Sequence, residues 1–381
     1  MRATRAIIHL ENLQSNIREI RKLIGPTTKI CVPVKADGYG HGALKIAVGA
    51  IQAGASYLAV ASVQEGIDLR EAGIITPILS LSLPIPEEID QIVQYELTPL
   101  VADPDFIAEL GAAARAAGKI VPVHLKVDTG MGRIGCAPDE APSIARRVVH
   151  EKGLVIEGTA THLAVSDSND PDDVEYTKRQ IAEFKRAVAA MRAEGIDPGI
   201  LHAASSGAIL RYPEAHFDMV RPGIIVYGYP PSADYAGIIP LKPLMELETQ
   251  IVYIKKVEKG TSVSYGRTWV SDRDTYIATL PIGYADGLSR KLSPGLTVRS
   301  EGKEYPVVGR ICMDQCMIDI GPEPTARKWD KVTIFGPNPE GPSAATLADR
   351  LGTISYEVTC AVNKRVPRVY VGDEPRERVF K

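Results

Sequence analysis

Lys35 lies in the run Cys31-Val32-Pro33-Val34-Lys35-Ala36-Asp37-Gly38-Tyr39-Gly40-His41-Gly42, where an apolar stretch delivers one amine into a turn carrying three glycines. A lysine held at such a place and partly desolvated can lose its proton near neutral pH and form a Schiff base with an aldehyde cofactor. A plain surface lysine just past a strand end fits the same residues, so the rest of the chain has to decide. Other polar residues follow apolar runs in the same manner: Lys126, Asp128 and Met131-Gly132-Arg133; His162; Ser205-Ser206-Gly207; and Arg221-Pro222-Gly223-Ile224.

The elements that would position these groups are legible from residue 28 to about 228, where short β-branched runs alternate with longer amphipathic, alanine-rich stretches. That alternation is expected of βα units around a parallel sheet. Eight strands are predicted: Lys29 to Val34, Tyr57 to Ala61, Pro77 to Leu81, Thr98 to Val101, Ile120 to Val127, Val155 to Thr161, Ile200 to Ala203 and Met219 to Tyr227. Helices are expected between most of them, for instance Asp105 to Ala117, and Asp173 to Glu194 after the start signal Asp170-Pro171-Asp172-Asp173. Eight repeats in this length predict a closed (β/α)8 TIM-type barrel of the α/β class. An open dinucleotide-binding sheet is disfavoured, because no G-x-G-x-x-G follows the first strand.

In such a barrel the chemistry sits at the carboxyl ends of the strands, which is where the polar residues above fall. Ser206 with the Gly223 and Ile224 amides can form a phosphate site there, and a helix N-cap is the structural alternative for Ser206.

Near Pro230-Pro231-Ser232-Ala233-Asp234 the texture changes, and alternating runs follow, separated by Gly, Pro and Asp. Runs such as Gln250 to Ile254, Thr275 to Leu280, Leu296 to Ser300, Lys331 to Phe335 and Arg368 to Val371, with a helix near Ala344 to Leu351, predict a mostly antiparallel β domain. The expected boundaries are residues 11–235 for the barrel and 236–381 for the β domain, with Ile7 to Leu10 as a strand joining the latter.

With 381 residues and a net charge of −3, the chain carries no basic block of the kind that meets nucleic acid or an anionic membrane. Small-molecule chemistry is favoured. No secretion signal or 18-residue apolar run is present, so a cytoplasmic location is expected. The five cysteines are odd in number and mostly sit in apolar runs, which suits reduced thiols. Cys312 and Cys316 are spaced four apart in a strand-like context, Arg310 to Met317, without a second pair, and no metal site is expected.

The Lys35 segment resembles the pyridoxal phosphate attachment motif of bacterial alanine racemases, and six companions resemble the same family in order along the chain. They are His124-Leu125-Lys126-Val127-Asp128-Thr129-Gly130-Met131-Gly132-Arg133, Arg221-Pro222-Gly223, Val263-Ser264-Tyr265-Gly266, Gly283-Tyr284-Ala285-Asp286-Gly287, Gly309-Arg310-Ile311-Cys312-Met313-Asp314 and Ser355-Tyr356-Glu357. The resemblance implies a barrel plus a β domain, a head-to-tail homodimer with shared sites, pyridoxal 5'-phosphate as cofactor, and interconversion of L- and D-alanine that supplies D-alanine for peptidoglycan.

Carried over by position, Lys35 is the lysine that holds the cofactor and serves as base for the D-enantiomer, and Tyr265, from the partner subunit, is the base for the L-enantiomer. A tyrosine can act so only if its pKa falls from about 10, as a nearby cation would make it do. Read without the family, Tyr265 is a tyrosine packed in a β domain. Arg221 matches the arginine facing the pyridine nitrogen; because arginine only donates, it disfavours protonation of that nitrogen and biases the cofactor against transamination.

Tyr39, Ser206, Gly223, Ile224 and Tyr356 match the phosphate-binding set, and the family places His162 and Arg221 in hydrogen-bond connection with Tyr265. Arg133 and Met313 match groups holding the substrate carboxylate or cofactor phenolate region, and Tyr284 and Tyr356 those narrowing substrate access to the size of alanine. Lys126 matches a position that is carbamylated in some members; a plain strand-end lysine is the other reading. Ser205 departs from the family, which usually has asparagine there, and His9 stands where an aspartate is usual. The competing readings are a racemase for serine or of broader preference, a decarboxylase of the same two-domain plan, and a non-catalytic pyridoxal-phosphate-binding barrel. The segments around Tyr265, Tyr284 and Met313 weigh against the last, and Arg221 against the decarboxylase.

Overall fold

Eight parallel strands follow one another around a barrel: β1 (Lys29–Pro33), β2 (Tyr57–Val60), β3 (Ile78–Ser80), β4 (Thr98–Val101), β5 (Val121–Lys126), β6 (Leu154–Ala160), β7 (Ile200–His202) and β8 (Met219–Val220). This computed structural model describes residues 2–338 and 341–372. Each strand pairs in parallel with its sequence neighbour, and β1 pairs with β8. Between β7 and β8 the Asp218 amide donates to Leu201 O at 3.0 Å, the Arg221 amide donates to Ala204 O at 2.9 Å, and the Asp218 carboxylate accepts from the Leu201 amide at 2.8 Å. The predicted barrel is thereby observed. Its interior is packed by Cys31, Tyr57, Ala59, Leu79, Leu100, Ala160 and Met219, as a filled core rather than a pore.

Helices return the chain between strands where capping residues specify them. Asp103 accepts from the Phe106 amide at 2.8 Å and begins Pro104–Ala116; Asp170 accepts from the Asp172 amide at 2.9 Å and begins Pro171–Ala193. Both have proline in the first turn, where its missing N–H costs nothing.

The eighth strand is shorter than predicted and ends at Val220 instead of Tyr227. Pro222 has no N–H for a ladder, and the run beyond it folds into buried turns in which the Val226 and Tyr227 amides donate to Gly223 O and Ile224 O. An apolar run buried on all sides reads as a strand whatever its backbone does.

Contacts divide the described residues into two units, one of residues 13–38 and 43–241 holding the barrel, the other of residues 2–12, 39–42 and, from 242 on, the rest up to 372. The second is built on a nine-stranded sheet in the order Tyr253–Val257, Thr275–Leu280, Cys316–Gly321, Lys303–Val308, Thr297–Ser300, Lys331–Phe335, Met245–Gln250, Arg5–His9, Arg368–Val371. All pairings are antiparallel except the last, where Arg5–His9 runs parallel to Arg368–Val371. The predicted Gln250 to Ile254 run is split between two strands. At the break the Ile251 amide donates to Asp330 O and the Val252 amide to Thr279 O, so the chain changes partners there. The strand-like reading of Arg310 to Met317 also fails: the strand begins at Cys316, and Cys312 lies in the loop before it. Among the described residues no helix is long and apolar enough to cross a membrane.

One irregularity in the barrel has a chemical consequence. Along β5 and β6 the register shifts between Val123, opposite Ile156, and His124, opposite Gly158, so that Glu157 is an extra residue with no opposite number. Such a bulge re-aims a side chain. At Gly158 any Cβ would lie 2.6 Å from His124 Cε1 and 2.7 Å from Ile200 O. Gly158→Ala is expected to destabilise the protein by about 1–3 kcal/mol through overpacking, read as a lower thermal unfolding midpoint; an unchanged midpoint would mean that the His124 ring moves aside freely.

Candidate active site

The backbone after β1 turns in an uncommon sense. Ala36, Asp37 and Gly38 have φ of 51°, 53° and 61°, and Tyr39 has φ of 52°. These are left-handed conformations, which cost non-glycine residues roughly 1–2 kcal/mol each. Hydrogen bonds hold the turn: the Gly38 amide donates to Val34 O at 2.7 Å, and the Ala43 amide donates to the Asp37 carboxylate at 2.9 Å. The Glu65 carboxylate accepts from the Ala36 amide at 2.7 Å on one oxygen, and from the Ala61 and Ser62 amides at 2.8 and 3.3 Å on the other. Glu65 thus ties the end of β2 to the residue after Lys35. Sequence reading missed it, although Ser62-x-x-Glu65 is a capping-box signal.

Arg221 follows β8 and is buried. Its Nη1 donates to His202 Nδ1 at 2.5 Å; its Nη2 is surrounded by Thr161 O at 2.8 Å, Ala203 O at 3.0 Å and His162 Nδ1 at 3.3 Å. Every partner is neutral, and burial pulls the guanidinium down to about 10. Because Arg221 only donates, His162 Nδ1 must accept, which leaves the imidazole proton on Nε2. Burial first, then the charges of Arg221, Arg133, Lys126 and Lys35, depress His162 to about 3. The charges of four cations thus act on one neutral imidazole.

Lys126 ends β5 and is buried, with Nζ donating to Val127 O at 2.9 Å. Burial, followed by Arg221, lowers it to about 8. Asp128 accepts from the Gly130 and Gly132 amides at 3.0 and 3.1 Å and so shapes the turn that presents Arg133, which is exposed. After β7, Ser205 holds the N-cap position of Ser206–Arg211 without a side-chain cap bond, so the predicted alternative for Ser206 as N-cap is corrected by one residue. The Ser206 hydroxyl accepts from the Gly223 amide at 3.0 Å, which leaves its own proton to donate, and Ile224 is buried beside it in the chain.

The remaining predicted residues lie on the second unit. Tyr39 is buried there with its ring centroid 5.8 Å from that of Tyr356, and burial raises its pKa. Tyr265, Tyr284 and Met313 sit on loops that share one support: Ser264 Oγ donates to Arg310 O at 2.6 Å, and the Tyr284 and Ala285 amides donate to Cys312 O and Met313 O at 3.0 Å. These three side chains are 69%, 43% and 52% exposed. The predicted residues thus form two groups, a cationic one on the barrel and an aromatic one on the β unit. His202 and His124, which stand behind Arg221, were not singled out by sequence; His202 closes β7, as other site residues close their strands.

Residues 8–231 match the family description "Alanine racemase, N-terminal domain", and residues 244–370 match "Alanine racemase, C-terminal domain". An alanine racemase of Treponema denticola is 56% identical over 377 residues, covering 98% of this chain and 99% of that protein. One of Treponema pallidum is 46% identical, covering 97% and 100%. Among solved structures, alanine racemase of Clostridium difficile 630 superposes with a TM-score of 0.93 at 37% identity, covering 97% of this chain and 96% of that one. An alanine racemase from Bacillus anthracis with bound L-Ala-P gives 0.91 at 33% identity, covering 98% and 96%. With both domains matched in order over nearly the whole length, and with the barrel and the β sheet superposing on the same structures, the chain belongs to the alanine racemase family of isomerases.

Proposed function

We propose that this protein interconverts L- and D-alanine with pyridoxal 5'-phosphate, as a cytoplasmic homodimer whose sites are completed by the partner subunit, and so supplies D-alanine for peptidoglycan. The observation that carries this reading is the buried Arg221 donating to the neutral His162 at the strand ends, where the charges of Lys35, Lys126 and Arg133 also act on that ring. Such a cluster fits a ligand bearing both a phosphate and a carboxylate. The donors match that group's parts: Ser206 with its free hydroxyl proton, Gly223, Ile224, Tyr39 and Tyr356 for the phosphate, and Arg221 for the ring nitrogen. Ser205 would take the place of the family's asparagine beside them. Five cysteines, three of them buried, suit a reducing compartment.

When bound, the cofactor supplies an aldehyde that condenses with amines and acidifies the hydrogen on the substrate's α-carbon. The chain's own residues do the rest. Lys35, at the strand end on its held left-handed turn, takes or returns the α-proton on one face. Tyr265 of the second copy does so on the other, with His162 Nε2–H available to stabilise its phenolate. Two different groups flanking one plane are what inversion of a stereocentre by proton transfer requires. Arg133 and Met313 position the substrate carboxylate, and Tyr284 and Tyr356 limit the side chain that fits. Arg221 can only offer the ring nitrogen a hydrogen bond while keeping its own proton, which disfavours protonation of that nitrogen and keeps the chemistry at the α-carbon.

Tyr265→Phe and Lys35→Ala are each expected to lower racemisation, followed by optical rotation from either enantiomer, by at least about 100-fold, the lower range of general acid–base effects. Parental rates in both directions from the phenylalanine variant would eliminate the two-base reading. Visible absorbance of the resting enzyme should disappear in Lys35→Ala.

Lys126 lowered to about 8 holds a substantial unprotonated fraction near neutral pH. Its Nζ can add to carbon dioxide, forming an N–C bond and releasing a proton, and the resulting anion would orient Arg133. Isotopically labelled bicarbonate should give a carbamate carbon resonance in the parent that is missing in Lys126→Ala; no such signal in the parent would leave Lys126 a plain cation.

The exposed Tyr265, Tyr284 and Met313 make activity depend on the second copy. Specific activity should fall with the dimer fraction on dilution, measured against sedimentation at the same concentrations. A fully active monomer would refute shared sites.

A further inference from the structure

Behind Arg221 a file of hydrogen bonds crosses the barrel interior. Arg221 Nη1 lies 2.5 Å from His202 Nδ1, His202 Nε2 lies 2.7 Å from His124 Nδ1, and His124 Nε2 lies 3.1 Å from Glu157 Oε2. Both imidazoles are fully buried. Burial, the largest influence on each, holds both below the usual histidine range, so both rings are neutral.

The two ends of this file leave no freedom in between. A guanidinium only donates and an ionised carboxylate only accepts. Burial works to raise the Glu157 carboxyl, yet the hydrogen bonds from His124 and Tyr57, with the charge of Lys29, keep it below the ordinary value and ionised. His202 Nδ1 must therefore be bare, its proton sits on Nε2 and goes to His124 Nδ1, and the His124 proton sits on Nε2 and goes to Glu157. Flipping one ring alone would bring two N–H groups or two lone pairs face to face at 2.7 Å, and flipping both would set an N–H against the guanidinium and a bare nitrogen against the carboxylate.

Two features of the strands exist around this file. The bulge in β6 adds Glu157 as an extra residue, and Gly158 leaves the space that the His124 ring occupies. At its far end Glu157 is 28% exposed and lines a pocket of about 320 Å³ with Arg70, Thr98, Lys119 and Pro122, residues at the starts of the strands or before them. The carboxylate therefore stands toward the amino-terminal end of the barrel, and Arg221 at the carboxyl-terminal end.

We propose that Glu157 is a positioning residue for Arg221: through His124 and His202 it sets the direction of the hydrogen-bond file, so that a bare imidazole nitrogen always faces the guanidinium. The catalytic consequence rests on the racemase reading above; the ring tautomers do not.

The test is proton-detected nitrogen-15 NMR of the histidine rings, with steady-state kinetics, on the parent, Glu157→Gln and Glu157→Ala. The parent should show both rings neutral and protonated at Nε2 from about pH 6 to about pH 8. Glutamine keeps an acceptor, so its rings should be unchanged and kcat within about threefold of the parent. In Glu157→Ala, water from the pocket can donate or accept; the rings should exchange between tautomers and kcat fall about tenfold with KM within about twofold.

Parental tautomers and kcat in Glu157→Ala would overturn the proposal, and so would a loss of kcat there with unchanged rings, which marks simple packing. Scrambled rings in Glu157→Gln would overturn it as well, and that variant decides alone if the alanine one does not fold. Parent rings as expected in a protein that racemises nothing would sink the functional reading and leave the file intact.

Discussion

A cation buried without a carboxylate partner is the constraint around which the barrel's catalytic end is organised. Desolvating a charge is costly unless dipoles replace the lost water. Arg221 gets those dipoles from Thr161 O and Ala203 O, one residue past β6 and β7, and from the ring nitrogens of His202 and His162. The strands must therefore end in register. The Arg221 amide in turn donates to Ala204 O and helps close the barrel, so the residue held by the strand ends also holds two of them together. Burial lowers His162, His202 and Lys126 most, and the charge of Arg221 acts outward to lower them further while opposing the effect of burial on Cys31.

The local backbone follows from the same need. A strand that ran on past Val220 would carry Gly223 away from Ser206; Pro222 ends the ladder and lets the chain turn so that the Gly223 amide meets the Ser206 hydroxyl. On the neighbouring strand β1, the left-handed turn after Lys35 is unfavourable alone and is kept by the carboxylates of Glu65 and Asp37. Strain of this kind persists only where surrounding contacts over-determine it. The lysine is thus carried on backbone that has little freedom to relax.

How much of this was legible in the sequence depended on whether the signal was periodic. The eight-strand rhythm was visible because each buried strand is a short apolar run between turn residues. The same rule misread Ile224 to Tyr227, which is buried as turns, and merged Gln250 with Ile254 across a change of partners. Lys35, Arg221 and Ser206 could be found because each stands just past an apolar run. Tyr265 could not: in its own neighbourhood it is an exposed tyrosine on a short turn, and only the family resemblance gave it a role. Glu157 was invisible for another reason, since a bulge is a mismatch between two strands and has no trace in either alone.

The division of chemistry between the two units has its own logic. A cationic cluster built on strand ends can be made rigid, because carbonyls and imidazoles inside a packed barrel fix it. On the proposed two-base reading the phenol would need the opposite, since it would have to meet the substrate on the face away from Lys35. Placing Tyr265 with Tyr284 and Met313 on loops braced by the segment from Arg310 to Met313 gives a second rigid surface with its side chains left outward. Three exposed large side chains on one support are a poor arrangement for contact with water and a good one for contact with another protein surface. A tyrosine becomes a useful base only beside a positive or strongly donating group. On the proposed reading its basicity would then arise only when that second surface is brought to the cationic end of a barrel, which would make the assembly, rather than either unit, the catalyst.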